Sequence, residues 1–291
     1  MVAVSRDLDG LATPLLARAA TPYLALNGTA NVVMQLSRPE VGVGVRDSRV
    51  EGARLFDDPV RRQRTTIGYL AVAVHGTADE RAAYRRRVNR SHAEVRSRPG
   101  ERPAYSAFDP LLQRWVAACL YRGLEEASEA VHGPLGTDLG AFYAEGVVLG
   151  GLLQMPAELW PDDRGSFEDY WRSGLAAASI DVATRAYLMR VIRLEYLPRR
   201  VPRLVVDRRV WLTTGFLPPE VREEMHLAWS SRDEQRFARW TRRAAAAVRR
   251  LPERHRGRPF SSSIARQRAG GADDLWLSAA PGTIGGAGDV G

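Results

Sequence analysis

Apolar residues recur at three- and four-residue intervals along most of this chain, the spacing that places side chains on one face of a helix. Thr21-Pro22 opens a segment whose buried face is Leu26, Ala30, Val33, Met34 and Leu36, and Arg38-Pro39 stops it. Val41, Val43 and Val45 then alternate with Gly42 and Gly44. That stretch is too short and glycine-rich to seed a sheet, and it reads as a turn or a short helix. Asp57-Asp58-Pro59 sets carboxylates at the positive end of a helix dipole with proline in the first turn, and Ile67, Leu70, Ala71 and Val74 carry the helix to His75-Gly76. Thr77 or Asp79 caps the next helix, with Tyr84, Val88 and Val95 as its inner stripe and Pro99-Gly100 as its end. Asp109-Pro110 starts a third, through Trp115, Val116, Cys119 and Leu120 to about Val131. Further helices are predicted over 137–154, 164–178, 181–197 and 219–250, the last with a break near Ala228-Trp229. Residues 261–291, rich in serine and glycine, read as a flexible tail. The expectation is one all-α domain, residues 1–260, followed by that tail.

Composition bounds the partners. A chain of 291 residues, 45% hydrophobic, buries a core unaided, and the single cysteine, Cys119, excludes an intrachain disulfide. No run of about 18 uncharged apolar residues is present to span a bilayer. Residues 1–20 do not read as a secretion signal, so a cytoplasmic protein is expected. The formal charge of +8 is uneven: residues 199–268 hold 18 arginines and 7 acids, whereas residues 1–198 balance at 24 of each. Lysine is absent altogether. That points to biased codon usage rather than to phosphate contacts, which lysine serves almost as well, and no nucleic-acid partner is expected. The segment 199–251 mixes arginine with apolar residues, and Phe237, Trp240, Ala244, Val248 and Leu251 share one face. Two readings stand open: a helix packed on the core with solvated arginines, or peripheral contact with an anionic membrane at its inner face.

Familiar catalytic motifs are missing. No GxGxxG follows a strand, and GxxxxGK, HExxH and CxxC do not occur. The five histidines are scattered: His75 and His132 lie beside glycine at helix C-termini, as capping residues do, His255 falls in an arginine-rich exposed stretch, and His226 joins no cluster. His92 differs, because its spacing from Val88 and Val95 puts it on an apolar stripe. It reads either as a core histidine bonded to a carbonyl or as an iron ligand. An imidazole on a buried face with Arg96 one turn away stays neutral, the form that ligates metals. On the preceding helix Arg62 and Thr66 are four apart and share a face, followed by Tyr69 and Ala73. A guanidinium and a hydroxyl suit an anionic or oxygen-derived ligand, and a solvated helix start is the plainer alternative.

The run Met34-Gln35-Leu36 with Pro39 and Gly44-Val45, then Asp58-Pro59-Val60-Arg61-Arg62 with Thr66, Gly76-Thr77, Val88 to Val95 around His92, Tyr105 to Pro110, and Trp115-Val116 resembles the family of the fungal mycophenolic-acid membrane oxygenase and the bacterial rubber oxygenases. Spaced matches cover about residues 23–122, and Thr213 to Pro219 with Trp229 is similar to the family's later part. The resemblance implies a globin-like helical domain around haem b and oxidative cleavage of carbon–carbon double bonds with dioxygen. It assigns His92 as the axial ligand of the haem iron, Arg62 and Thr66 to the distal side, and Arg96 to a haem propionate. Two departures stand out: the lysine that rubber oxygenases place before the distal threonine is Thr65, and the histidine often found before the first proline is Arg38. With no secretion signal read, a small apolar or lipid-like substrate is expected in place of rubber. The competing expectation is a non-catalytic helical protein on the same scaffold that binds a partner or a lipid.

Overall fold

The computed structural model describes residues 8–48, Phe56 and residues 59–270, the side chains of 59–63 set aside. Among them are fifteen α-helices and no strand. In order they are α1 (Pro14–Ala19), α2 (Pro22–Gln35), α3 (Pro39–Arg46), α4 (Pro59–His75), α5 (Ala78–His92), α6 (Pro110–His132), α7 (Leu139–Glu145), α8 (Val148–Gly151), α9 (Arg164–Ala176), α10 (Val182–Ile192), α11 (Arg203–Phe216), α12 (Pro219–Glu224), α13 (Ser231–Arg250), α14 (Glu253–Arg256) and α15 (Phe260–Gly270). The sequence explains most of the starts. Proline opens α1, α2, α3, α6 and α12, where its missing N–H costs nothing. Thr77 and Ser230 form reciprocal capping boxes with Glu80 and Asp233, and the carboxylates of Asp109, Asp163 and Asp181 accept first-turn amides of α6, α9 and α10.

Helix α6 runs through the centre. Trp115, Ala117, Ala118, Cys119, Tyr121, Leu124 and Ala127 along it are all but inaccessible, and α1, α2, α8 and α13 pack around it. Gly123 lets α2 approach: a Cβ there would lie 2.8 Å from Asn31 Nδ2, which instead donates to the Cys119 carbonyl at 2.6 Å. Beside α6 lies a cluster of Tyr121, Phe142, Tyr143, Trp160, Phe167 and Trp171. Its polar edge is the buried Glu125, which accepts two bonds from Arg164 and one from Arg122, each 2.8 Å, and one from the Tyr121 hydroxyl at 2.9 Å. Full use of its lone pairs makes a buried carboxylate tolerable.

Several boundaries differ from the expectation. Helix α5 ends at His92, not near Pro99. The chain then forms an antiparallel bridge between Arg96 and Ser106, with Ala107 N donating to Val95 O and Ser97 N to Tyr105 O, each 2.9 Å. The predicted helix over 137–154 divides into α7 and α8, the one over 181–197 stops at Ile192, and the one over 219–250 breaks into α12 and α13 as its Ala228-Trp229 signal foretold. Helix α11 was not foreseen. Residues 261–270, assigned to the flexible tail, belong to α15, which starts at Phe260 and packs on α4 with Phe260, Ser263 and Ile264 buried; the rest of that tail lies outside the described residues. Arg268 of α15 donates to Glu80 at 2.7 and 3.0 Å and holds that carboxyl below its ordinary range.

The N-terminal segment is held by two buried ions. Arg81, 2% exposed, donates to the carbonyls of Asp9 (3.1 Å), Leu11 (2.5 Å) and Ala73 (2.8 Å) and to Thr13 Oγ1 (2.8 Å). Burial lowers its pKa, and the charges of Asp9 and Glu145 oppose that. Glu145 accepts the first-turn amides of Leu15 (3.2 Å) and Leu16 (2.8 Å), a carboxylate at the positive end of α1. Hydrogen bonds to a charged group contribute about 1.5–3 kcal/mol each, and orphaned buried carbonyls cost about 1–3 kcal/mol. Arg81→Ala is therefore expected to lower stability by about 3 kcal/mol or more in urea denaturation. A change under about 0.5 kcal/mol would show that the segment is not held this way.

Candidate functional site

The bend after α5 creates the site. The chain turns back at His92, its 95–97 stretch pairs with 105–107, and an open cavity lies between α3, α4, α5, α6 and that pairing. Its enclosed volume is about 250 Å³, within about 1320 Å³ of atom-free space that includes the open mouth. Val41 and Val45 of α3, Val88 of α5, Val95, and Leu112, Val116 and Leu120 of α6 form apolar walls, closed by Leu153. Of the apolar helix positions read from the sequence, Val88, Val95 and Val116 border the cavity, while Leu70, Val74 and Trp115 belong to the core.

His92 lies on this cavity. It is half-buried, its Nδ1 is shielded from solvent, and its ring meets Phe108 edge-on at 6.4 Å between centroids. Its carbonyl accepts the Val95 amide at 3.0 Å, so the residue that ends the helix also starts the turn. Thr66 of α4 reaches the same cavity from another wall, and the buried Thr65 joins it. Thr65 occupies the place of the lysine in the resemblance, so the cavity has a second hydroxyl where a cation was the alternative. Arg62 lies on the first turns of α4, and its side chain lies outside the described residues. Arg96 is exposed and absent from the cavity wall, since Val95 faces inward and the extended chain turns the next residue out. It is not on the same helix as His92, as the sequence spacing supposed. Arg38, in place of the expected histidine, sets its guanidinium 4.8 Å from the Trp115 ring centroid.

Further polar groups line the wall. The Tyr69 hydroxyl donates to Leu149 O, and burial together with the neighbouring Tyr84 raises its pKa well above the ordinary value. The Tyr84 hydroxyl donates to Thr65 O at 3.1 Å. Gln113, 4% exposed, donates from Nε2 to Ala107 O at 2.8 Å and ties α6 to the paired segment. Gln35, Glu40, Ser48, Ser91, Tyr105 and Ser106 line the wall as well. Tyr69 was legible as sharing the Thr66 face; Gln113 carries no such signal, because a glutamine among arginine and leucine reads as surface.

The donor set bears on which metal group the cavity suits. Among the described residues no three His, Cys, Asp or Glu side chains gather as a metal cluster. A lone imidazole on a mostly apolar wall is a poor site for a bare ion and a suitable one for an iron that brings its own equatorial nitrogens. The walls and the imidazole thus fit haem. The enclosed part is just below the usual range of ligand pockets, about 300–1,000 Å³, so a haem-sized group would have to occupy the open mouth as well.

The family described as "ER-bound oxygenase mpaB/B'/Rubber oxygenase, catalytic domain" matches residues 17–250. The chain is 42% identical over 209 residues to the uncharacterized proteins Mb2261 of Mycobacterium bovis and Rv2237 of Mycobacterium tuberculosis, covering 72% of this chain and 82% of each of theirs. No solved structure matches.

Filling the cavity tests whether it binds apolar ligands. Val116→Trp is expected to abolish fluorescence enhancement of an apolar dye, at an overpacking cost of about 1–3 kcal/mol, measurable as a modest fall in Tm. Unchanged dye binding in the folded variant would place the ligand site elsewhere.

Proposed function

The chain belongs to the family of mpaB-type oxygenases and rubber oxygenase catalytic domains, and on that premise we propose that it is a haem b-dependent oxygenase acting with dioxygen on a small apolar or lipid-like substrate. The observation that carries this reading is the placement of His92 and Thr66, from two different helices, on one mostly apolar cavity.

His92 would hold the iron through its imidazole, and the end of α5 sets that ring's position. When bound, haem supplies the oxidising chemistry and the protein supplies its surroundings. Thr66 and Thr65 would offer hydroxyls on the wall formed by α4, each able to donate or accept a hydrogen bond. Arg62 keeps its proposed role as a cation on that side, and Arg96 its proposed role toward a propionate from the solvent edge. Val41, Val45, Val88, Val116 and Leu120 exclude water and receive an apolar substrate. With the Tyr69 hydroxyl engaged by the Leu149 carbonyl and its pKa raised, the phenol stays protonated at neutral pH.

The test begins with colour. Protein purified from haem-supplemented cells is expected to show a Soret band that shifts with carbon monoxide, and His92→Ala to lose it while far-UV dichroism is retained. Arg62→Ala and Thr66→Ala are expected to keep the band and lose oxygen consumption with an unsaturated apolar substrate by tenfold or more. A colourless wild-type product would overturn the oxygenase reading and favour a non-catalytic binding protein on the same scaffold.

A further inference from the structure

Three arginines of the basic C-terminal third lie, with apolar side chains, on a surface that the helical core leaves uncovered. The apolar face of α13 is not that surface: Phe237, Ala245 and Val248 are buried, and the helix packs on α2, α6 and α11. The uncovered surface is the connection from α10 into α11, residues 197–205, which reads Leu-Pro-Arg-Arg-Val-Pro-Arg-Leu-Val. Leu204 is 80% exposed, Val205 48% and Leu197 41%, and Arg199, Arg200 and Arg203 are exposed between them. The segment itself contains no acidic residue. Arg203 faces Asp207 at 3.6 Å, whereas no described carboxylate lies within ion-pair distance of Arg199 or Arg200. Leucine at four-fifths exposure loses free energy in water unless something covers it.

We propose that residues 197–205 dock this protein on an anionic lipid surface, with Leu197, Leu204 and Val205 entering the acyl boundary and Arg199, Arg200 and Arg203 meeting phosphate headgroups. A lipid surface is favoured over a protein partner because apolar and cationic side chains interleave along one short segment, matching the layered chemistry of a membrane interface. Pro198 and Pro202 restrict the backbone of the segment, so less conformational freedom is lost on docking. None of the described helices is long and apolar enough to cross a membrane, and the contact is peripheral. Helix α10, which leads into the segment, packs on α3. There Arg46 donates to Asp181 Oδ1 and Thr184 Oγ1, each at 3.0 Å, and α3 in turn forms one wall of the His92 cavity. The inference goes beyond the oxygenase reading and does not depend on haem.

Sedimentation of the full chain with vesicles of phosphatidylglycerol and phosphatidylcholine, against phosphatidylcholine alone, tests it. The anionic vesicles are expected to retain at least tenfold more protein, with binding weakened by salt. Leu204→Ser with Val205→Ser, and separately Arg199→Glu with Arg200→Glu, are each expected to lower retention fivefold or more. Because all four side chains are exposed, Tm and far-UV dichroism should not change, and the Soret band reports on the cavity independently. Equal retention on neutral vesicles overturns the proposal. So does an equal loss from Arg242→Glu with Arg243→Glu on α13, which would make the effect one of general charge. Loss of self-association in the serine variant without loss of vesicle binding would assign the patch to a second copy of the chain and likewise overturn it.

Discussion

Two backbone hydrogen bonds, Ala107 N to Val95 O and Ser97 N to Tyr105 O, decide where α5 stops, and the candidate site depends on them. An α-helix continued through Val95 would place Arg96 one turn after His92 on the same face. Pairing with 105–107 satisfies amides and carbonyls that the helix would otherwise use, and it swings Val95 into the wall while Arg96 turns to solvent. Gln113 reinforces the arrangement by donating to the Ala107 carbonyl. A glutamine of α6 thus positions the segment opposite the histidine without itself being part of any expected motif. Gly44 has a related part: a Cβ there would come to 3.1 Å from the Tyr105 ring, so a side chain at that position would crowd α3 against the paired segment.

The same competition between local pattern and distant pairing explains what the amino-acid pattern could and could not convey. Helices opened by proline or a carboxylate cap, such as α2, α6 and α9, were legible because the signal and its consequence lie within four residues. The end of α5 was not, since Glu94, Val95 and Arg96 are compatible with a helix and only residues ten positions later remove them from it. Helix α15 was hidden for a different reason. Its serine- and arginine-rich composition resembles a tail, yet Phe260, Ser263 and Ile264 recur at three and four residues and pack on α4, and so short an apolar face shows its value only once its partner is known. In the site, Arg62 and Thr66 were drawn from helical spacing and from the family resemblance. Helical spacing pointed to Thr66 and not to Thr65, yet both lie on the cavity, because a cavity closing around a helix flank touches adjacent positions as well as those four apart.

Charge is distributed by a similar logic. This chain has arginine as its only strongly basic side chain, and the fold sorts the arginines by what surrounds them. Arg81 is deep and meets carbonyls; Arg122 and Arg164 share the buried Glu125 at the edge of an aromatic cluster; Arg38, Arg114 and Arg222 lie over the rings of Trp115, Tyr170 and Trp229. A planar guanidinium suits all three settings, since it forks toward two acceptors and stacks on rings, which a compact ammonium does less well. The exposed arginines are most frequent after residue 198, so the formal charge describes one segment of the chain rather than an average over it.

The cavity and the exposed connection are joined through α3 and α10. An apolar molecule is scarce in water and concentrated in a bilayer, so a protein that takes such a substrate gains by meeting it at the lipid surface. In this fold the helix that walls the cavity, α3, is tied by Arg46 to the cap of α10, where Asp181 also accepts the Ala183 and Thr184 amides at 2.8 and 3.0 Å. Gly42 keeps the two helices close, for a Cβ at that position would approach the Thr184 side chain to 3.0 Å. The connection 197–205 therefore extends from the end of a helix whose start is clamped to the cavity wall. A docking surface built this way holds the site at a defined position relative to the lipid, which a flexible tether of the same composition would not do.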